Sequence, residues 1–385
     1  MTQAGEPTAH WSYLYTLYLT VVYQVVGIHP LATRIIQAVA VGILMPWLAY
    51  RLGKRVFPGV SVTLLRLKWD VGMVAALWIA FYGYFIYYAA ALMTESFYIT
   101  GILWVLDCSV RMAQDHSRDG KSLMRWIELG LATGVTVLLR QVFLLVLPVL
   151  LAWVIWVRLR AAGVEWRRMA EKSILGILIA YLVVSMMIAP FTIFNYQQFD
   201  QFVLLNTNAG YAFFWANHPI HEDQWVSQLT PDMPSYQELI PEDLRNLDEA
   251  ALERALMQRG LAFVFDNPWR YIKLSISRIA DHFIFWPLPE SSLISNLTRV
   301  GSFGIALPFM VLGSVIWLLD EYKRSKNLCV MWTQPGGLLL LFIFVYVLVH
   351  LLSWAGIRYR LPTDAVGLMF ASGGMVWILK RVLKV

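Results

Sequence analysis

The chain has 385 residues, of which 58% are hydrophobic and 15% charged, a balance too apolar for an ordinary soluble domain. Its formal charge of +6 is distributed at the ends of apolar runs rather than along a basic stripe, which excludes nucleic acid as the partner. Cys108 lies in an apolar run and Cys329 in a distant polar connection, so no disulfide framework or redox chemistry is indicated.

Apolar runs close to the roughly 20 residues that span a bilayer recur along the chain. They predict helices near 31–50, 71–91, 96–113, 125–139, 142–159, 173–193, 300–319, 336–354 and 361–379. Residues 11–27, "WSYLYTLYLTVVYQVVG", add either a tenth span or an aromatic helix lying at the interface. The reading is an all-α polytopic membrane protein of about nine or ten transmembrane helices with a mainly helical outer-face segment. It divides into an N-terminal transmembrane region at 1–196, an outer segment at 197–298 and a C-terminal transmembrane region at 299–385.

Lysine and arginine set the orientation. Arg51, Lys54, Arg55, Arg66 and Lys68 follow the first span; Arg111, Arg118, Lys121 and Arg125 follow the third; Arg158, Arg160, Arg167, Arg168 and Lys172 follow the fifth. Lys323, Arg324, Lys326, Lys380, Arg381 and Lys384 complete a cytoplasmic face. The opposite face receives the chain start, the Thr94-Glu95 turn, the hairpin turn at Arg140-Gln141, the long segment 197–298 and "RYR". In that segment Pro241, Glu242 and Asp243 suit the first turn of a helix, which Asn267-Pro268 interrupts. The next stretch places Ile272, Ile276 and Ile279 on one stripe with Lys273 and Arg278 off it, the pattern of an amphipathic helix on a membrane surface.

Charged groups near the bilayer are retained where they are paired, hydrated or used. Glu95, at the tight junction of two apolar runs, reads either as a helix-capping turn residue or as a group acting on substrate or metal. Arg140, Arg358 and Arg360, with Tyr359 between the last two, either reach toward lipid headgroups or hold a phosphate, for which the planar guanidinium fork is suited. In "NTNAGYAFFWANHP", Asn206, Asn208, Tyr211 and Trp215 offer amides and aromatic faces of the kind that bind a sugar, and equally suit an interface belt. His218 and His221 stand in an irregular Pro-containing loop, where solvated residues are the simpler reading and a divalent metal site the sharper one. His10, His282 and His350 are scattered, and each alone is explained by structural hydrogen bonding.

Several of these stretches together resemble polyprenyl-phosphate-dependent glycosyltransferases of the C-type membrane fold, in the group similar to protein O-mannosyltransferases and lipid A aminoarabinose transferases. They are "HWSYLYTLYLTVVYQVVG", "LATRIIQAVAVGILMPWLAYRLGKRVF", "MTESFYI", "GLATGVTVLLRQ", "APFTIFNYQQFDQFVLLNTNAGYAFFWANHP", "FDNPWRYIKLSISR" and "RYRLP", in the family's order. The resemblance implies transfer of a sugar from a polyprenyl-phosphate carrier to a glycan, lipid or protein acceptor on the outer face of a bacterial inner membrane, with inversion. It implies an acidic base in the first external loop and basic residues on the carrier phosphate; in this sequence Glu95 is the catalytic candidate, and Arg358, Arg360, Arg140, Tyr359 and His10 are the candidates for the phosphate. A base takes the acceptor proton while cations stabilise the departing phosphate. No cofactor is required by this reading, although a divalent metal is compatible with it.

The chain departs from that family in three places. The family's first span and most of the loop bearing its main acid belong upstream of residue 10, where this sequence has only "MTQAGEPTA" with the single acid Glu6. An "HPPLY"-like segment reads "HWSYLY", keeping His10, and the usual arginine before Asn-Tyr is Phe194. A shortened chain, a misassigned start and an inactive lipid-phosphate-binding scaffold are the readings these differences admit. A transporter or flippase is the remaining alternative; it would place charges at mid-membrane and show paired interrupted helices.

Overall fold

The computed structural model describes residues 7–114, 121–226 and 233–383. Glu6, Arg118 and Lys384 of the sequence reading lie outside these residues. The protein is all-α apart from one short hairpin. In chain order the helices are α1 (Tyr13–Val26), α2 (Pro30–Val56), α3 (Val71–Phe81), α4 (Gly83–Ala90), α5 (Glu95–Gln114), α6 (Lys121–Leu139), α7 (Leu147–Ala162) and α8 (Trp166–Phe199). They continue as α9 (Ala209–Asn217), α10 (Glu249–Asp266), α11 (Pro268–His282), α12 (Leu293–Arg299), α13 (Ile305–Ser325), α14 (Leu328–Trp332), α15 (Pro335–Leu352) and α16 (Ile357–Val382). Strands β1 (Ser61–Leu64) and β2 (Leu67–Asp70) pair antiparallel, Ser61 opposite Asp70, through a turn in which Leu65 and Arg66 take φ of 51° and 66°. Such turns usually announce themselves with Asn-Gly, so the sequence offered no cue.

Each predicted span falls on helical backbone, but 71–91 is divided between α3 and α4, and 142–159 between a 3-10 turn at 141–145 and α7. Among the described residues five stretches are long and apolar enough to cross a membrane: Pro30–Val56, Leu147–Phe199, Leu293–Ser325, Pro335–Leu352 and Ile357–Val382. A sixth is the pair α3 and α4, bent by 54° at Tyr82, whose extended backbone interrupts the helix. The stretch Leu147–Phe199 comprises α7 and α8, broken at Gly163, which takes φ of 54°. By contrast, α5 and α6 carry Asp107, Arg111 and Glu128 within their length. At 14 residues α1 is about 21 Å long, short of the roughly 30 Å hydrocarbon core.

The chain forms two compact units. The larger comprises Leu17–Ser185, Phe285–Val345 and Leu361–Val385. Its centre is α5, buried along nearly its whole length and packed against α2, α6 and α7. Burial of its polar groups is offset by ion pairing. Asp107 is fully buried and meets Arg51 at 2.8 Å, Arg55 at 3.3 Å and Arg111 at 2.9 Å, while Arg111 also pairs with Glu128. Helices α13 and α16 touch through their backbones: a Cβ on Gly313 would stand 1.8 Å from the carbonyl oxygen of Phe370. The bend at Tyr82 is pinned by its hydroxyl, which donates to buried Asp364 at 2.7 Å.

The smaller unit comprises Met1–Thr16, Met186–Ile284 and Tyr346–Arg360. Helices α9 and α10 pack together over a core of Tyr211, Phe214, Ile240, Leu252 and Leu256. The expected helix start at Pro241 is corrected: residues 242–244 form a single 3-10 turn, held by Arg245 donating to the carbonyls of Ile240 and Glu238. The helix begins at Glu249 because Asp248 caps it, accepting from the amide of Ala251 at 2.8 Å. Helix α11 carries the predicted stripe, with Ile272, Ile276 and Ile279 exposed as a membrane-facing side requires. Arg278, read as part of its polar side, is fully buried. It donates to the carbonyls of Ala216 and Leu351 and to Asn217 Oδ1, and stands 5.1 Å from the ring of Trp225.

Candidate functional site

Glu95 opens α5, where its charge suits the positive end of the helix. In the larger unit it is buried and paired: Arg140 Nη2 donates to Glu95 Oε1, Arg140 Nε donates to Thr94 Oγ1 at 3.1 Å, and the guanidinium lies 5.4 Å from the ring of Tyr98. Two residues 45 positions apart are thus brought together at the ends of α5 and α6. The same geometry supports both original readings of Glu95, since a capping acid and a reacting acid would each be held this way. Sequence reasoning missed the group that fixes this junction. Gln37, fully buried on α2, donates from Nε2 to the carbonyls of Tyr88 and Ala89 at 3.1 Å each and of Ala91 at 2.7 Å. These include carbonyls that the end of α4 leaves without intrahelical donors, so Gln37 anchors the segment leading into Thr94 and Glu95.

In the smaller unit the "RYR" motif opens α16. Arg358 is half-buried, with its guanidinium 5.6 Å from the ring centre of Tyr359. Arg360 is fully buried and donates from Nη1 to the carbonyls of His282 and Ile284 at 3.0 Å each. The two arginines, grouped together from sequence, therefore sit in different environments. Tyr359 packs against His350 with ring centres 5.1 Å apart, and His350 against Tyr346 at 4.7 Å and His282 at 6.4 Å. His282 corrects the expectation that each scattered histidine is satisfied by structural hydrogen bonds. It is fully buried, and neither ring nitrogen has a hydrogen-bond partner among the described residues. Burial, with His350 and Arg360 adding to it, pushes its pKa down to about 3.

The remaining predicted residues are also in this unit. His10 packs edge-on against Tyr211 at 5.9 Å, and burial lowers its pKa despite the nearby Glu249. Glu249, unnoticed in the sequence, accepts from the amide of Ala9 at 2.9 Å and from the hydroxyl of Thr207, tying the chain start to 206–208. Asn206 donates its amide to the carbonyls of Ala9 and Trp11, joining the chain start to this loop. Tyr211 is buried in the α9–α10 core, whereas Asn208 is exposed and Trp215 half-buried, 5.3 Å from Tyr236. His218 Nδ1 accepts from the amide of Ile220 at 3.2 Å, and His221 Nε2 lies 2.9 Å from the carbonyl oxygen of Trp215. Burial pushes the pKa of His221 down to about 4. Among the described residues no group of three or more His, Cys, Asp or Glu converges to hold a metal, so these two histidines do not form a ligand set together with acids.

No family model matches the chain, and no curated protein matches it. Solved structures do. The chain is similar to the archaeal oligosaccharyltransferase AglB from Archaeoglobus fulgidus in complex with an inhibitory peptide and a dolichol-phosphate, with a TM-score of 0.55 and 15% identity over 98% of this chain and 44% of that one. The same organism's oligosaccharyltransferase in complex with Zn and sulfate gives a TM-score of 0.55 and 15% identity over 97% of this chain and 41% of that one. Tethered to an acceptor peptide, it gives 0.52 and 15% over 97% and 42%. The likeness establishes a shared membrane fold. The chain spans less than half the length of the structures it matches.

Proposed function

We propose that this chain is a membrane glycosyltransferase of the C-type fold, transferring a sugar from a polyprenyl-phosphate carrier to an acceptor at the outer face of the membrane with inversion. The observation that carries the reading is the buried Glu95–Arg140 pair at the end of two helices, within a fold shared with enzymes whose structures hold a dolichol-phosphate and an acceptor peptide. A carboxylate so placed is a candidate to accept the acceptor proton, and the guanidinium beside it holds the acid in one orientation. Within the smaller unit, Arg358, with Tyr359, and Arg360 are proposed to supply positive charge for the carrier phosphate, and His10 is a further candidate of that unit. Exposed Asn208 and half-buried Trp215 are the groups retained for a sugar or acceptor.

The test is reconstitution of the full chain in proteoliposomes with a panel of hexosyl and pentosyl polyprenyl phosphates, following release of the polyprenyl phosphate. Glu95→Gln and Arg358→Ala are expected to reduce release at least tenfold while inserting and purifying as the wild type does. If neither wild type nor variants release carrier above an empty-vesicle control for any donor, the enzymatic reading fails. If both variants lose the folded protein in detergent, their roles are structural.

A further inference from the structure

His282 ends α11 with its backbone fixed and its ring unmatched. Arg360 grips the carbonyls of His282 and Ile284, so the residue cannot drift, yet both imidazole nitrogens are buried without a partner among the described residues. A neutral imidazole carries one N–H donor and one acceptor, and native interiors rarely leave both unused. Where they do, a bound water, a ligand or a functional role is the usual reason.

The surroundings narrow the choice. The ring of His282 stacks on His350 with 20° between planes, and Phe283 closes one side edge-on at 5.0 Å. His350 and Arg360 both disfavour a second positive charge on this ring. A neutral N–H donor whose own carbonyl is gripped by an arginine matches an anion with several acceptor oxygens and fits a cationic metal poorly.

We infer that His282 is a further residue of the carrier-phosphate site, donating a ring N–H to a phosphate oxygen, with His350 as a positioning residue that orients the ring by stacking. The inference rests on the reading above that the "RYR" arginines hold the carrier phosphate. It adds a donor from α11, a helix that the motif does not contain. A neutral donor would bind phosphate without adding a further positive charge to that of the arginines.

The full chain in lipid nanodiscs is titrated with undecaprenyl phosphate, with undecaprenol and inorganic phosphate as controls. His282→Phe, which keeps the ring packing and removes the donor, is expected to weaken undecaprenyl phosphate binding about tenfold or more, the effect of one hydrogen bond to a charged group. His282→Gln is expected to recover most of it, and undecaprenol binding to stay unchanged. A folded His282→Phe protein that binds undecaprenyl phosphate as the wild type does overturns the inference. If that variant fails to fold, ring nitrogen resonances decide in the wild type: movement of one histidine N–H on adding undecaprenyl phosphate but not undecaprenol supports the donor. No movement, as for a ring satisfied by water alone, overturns it. Wild type that does not distinguish undecaprenyl phosphate from undecaprenol removes the phosphate reading itself. An equal His282-dependent response to inorganic phosphate overturns the assignment to the lipid carrier.

Discussion

Arg140→Met is the perturbation whose size follows most directly from the geometry. The side chain of Glu95 is 2% exposed and that of Arg140 13%. Removing the guanidinium takes away the opposite charge that faces this buried carboxylate. Breaking a buried pair in this way costs about 3–5 kcal/mol, because the stranded charge keeps its desolvation penalty and loses the attraction that offset it. Glu95→Gln is milder, about 1–2 kcal/mol, since Arg140 retains Thr94 Oγ1, the ring of Tyr98 and partial access to solvent. The double variant Glu95→Gln with Arg140→Met removes both charges, so its cost should fall short of the sum by about 1–3 kcal/mol. Reversible unfolding in mixed micelles, with the four proteins compared under identical conditions, measures each value. A coupling below about 0.5 kcal/mol, or an Arg140→Met cost like that of a surface change, would refute the burial and pairing argued for this site.

Gln37→Leu, which removes the donor to three carbonyls, is expected to cost about 1–3 kcal/mol and to speed amide exchange across 89–95; unchanged exchange there would detach Gln37 from the Glu95 junction. Gly313→Ala should be destabilised by more than about 3 kcal/mol, because its methyl would meet main-chain oxygen that cannot rotate away. A pH effect follows from His282, whose pKa is lowered from 6.5 to about 3 by burial. The unfolded chain takes up that proton first, so this contribution is fully present above pH 6.5 and is lost as pH falls toward 3, roughly 3–5 kcal/mol in all. The thermal midpoint of wild type should fall relative to that of His282→Phe as pH drops across that window, and parallel curves would show the ring is not held neutral.

The spans were legible because a run of about 20 apolar residues has few alternatives to a helix in a bilayer. Glu95, Arg140, Arg358 and Arg360 were legible as unusual charges for the same reason. Their partners were not. The contact from Arg140 to Glu95 joins residues whose separation no local pattern encodes, and Gln37 looked like one polar residue in an amphipathic run. The start of α10 was misplaced because Pro241-Glu242-Asp243 and Asp248-Glu249 are both plausible helix openings, and only the carbonyl contacts of Arg245 decide between them. Nor could chain order show that residues 186–284 form a compact unit with 1–16 and 346–360.

Burial of arginine takes two forms in this protein, and the difference bears on the proposed reaction. Arg140 and the arginines around Asp107 face carboxylates, so their charge is largely balanced within the protein. Arg278 instead donates to main-chain carbonyls and to the Asn217 side-chain oxygen, which satisfy N–H groups without cancelling the charge. Such an arrangement costs more desolvation than an ion pair and is destabilising for a protein that needs only mechanical support there, where a neutral amide such as Gln37 does the same work. In the proposed site the half-exposed Arg358 is the group for the anion, while Arg360 fixes the backbone of His282. On this argument Arg360→Lys, which keeps charge but loses the forked reach to two carbonyls, should impair folding more than anion affinity, and Arg358→Lys the reverse.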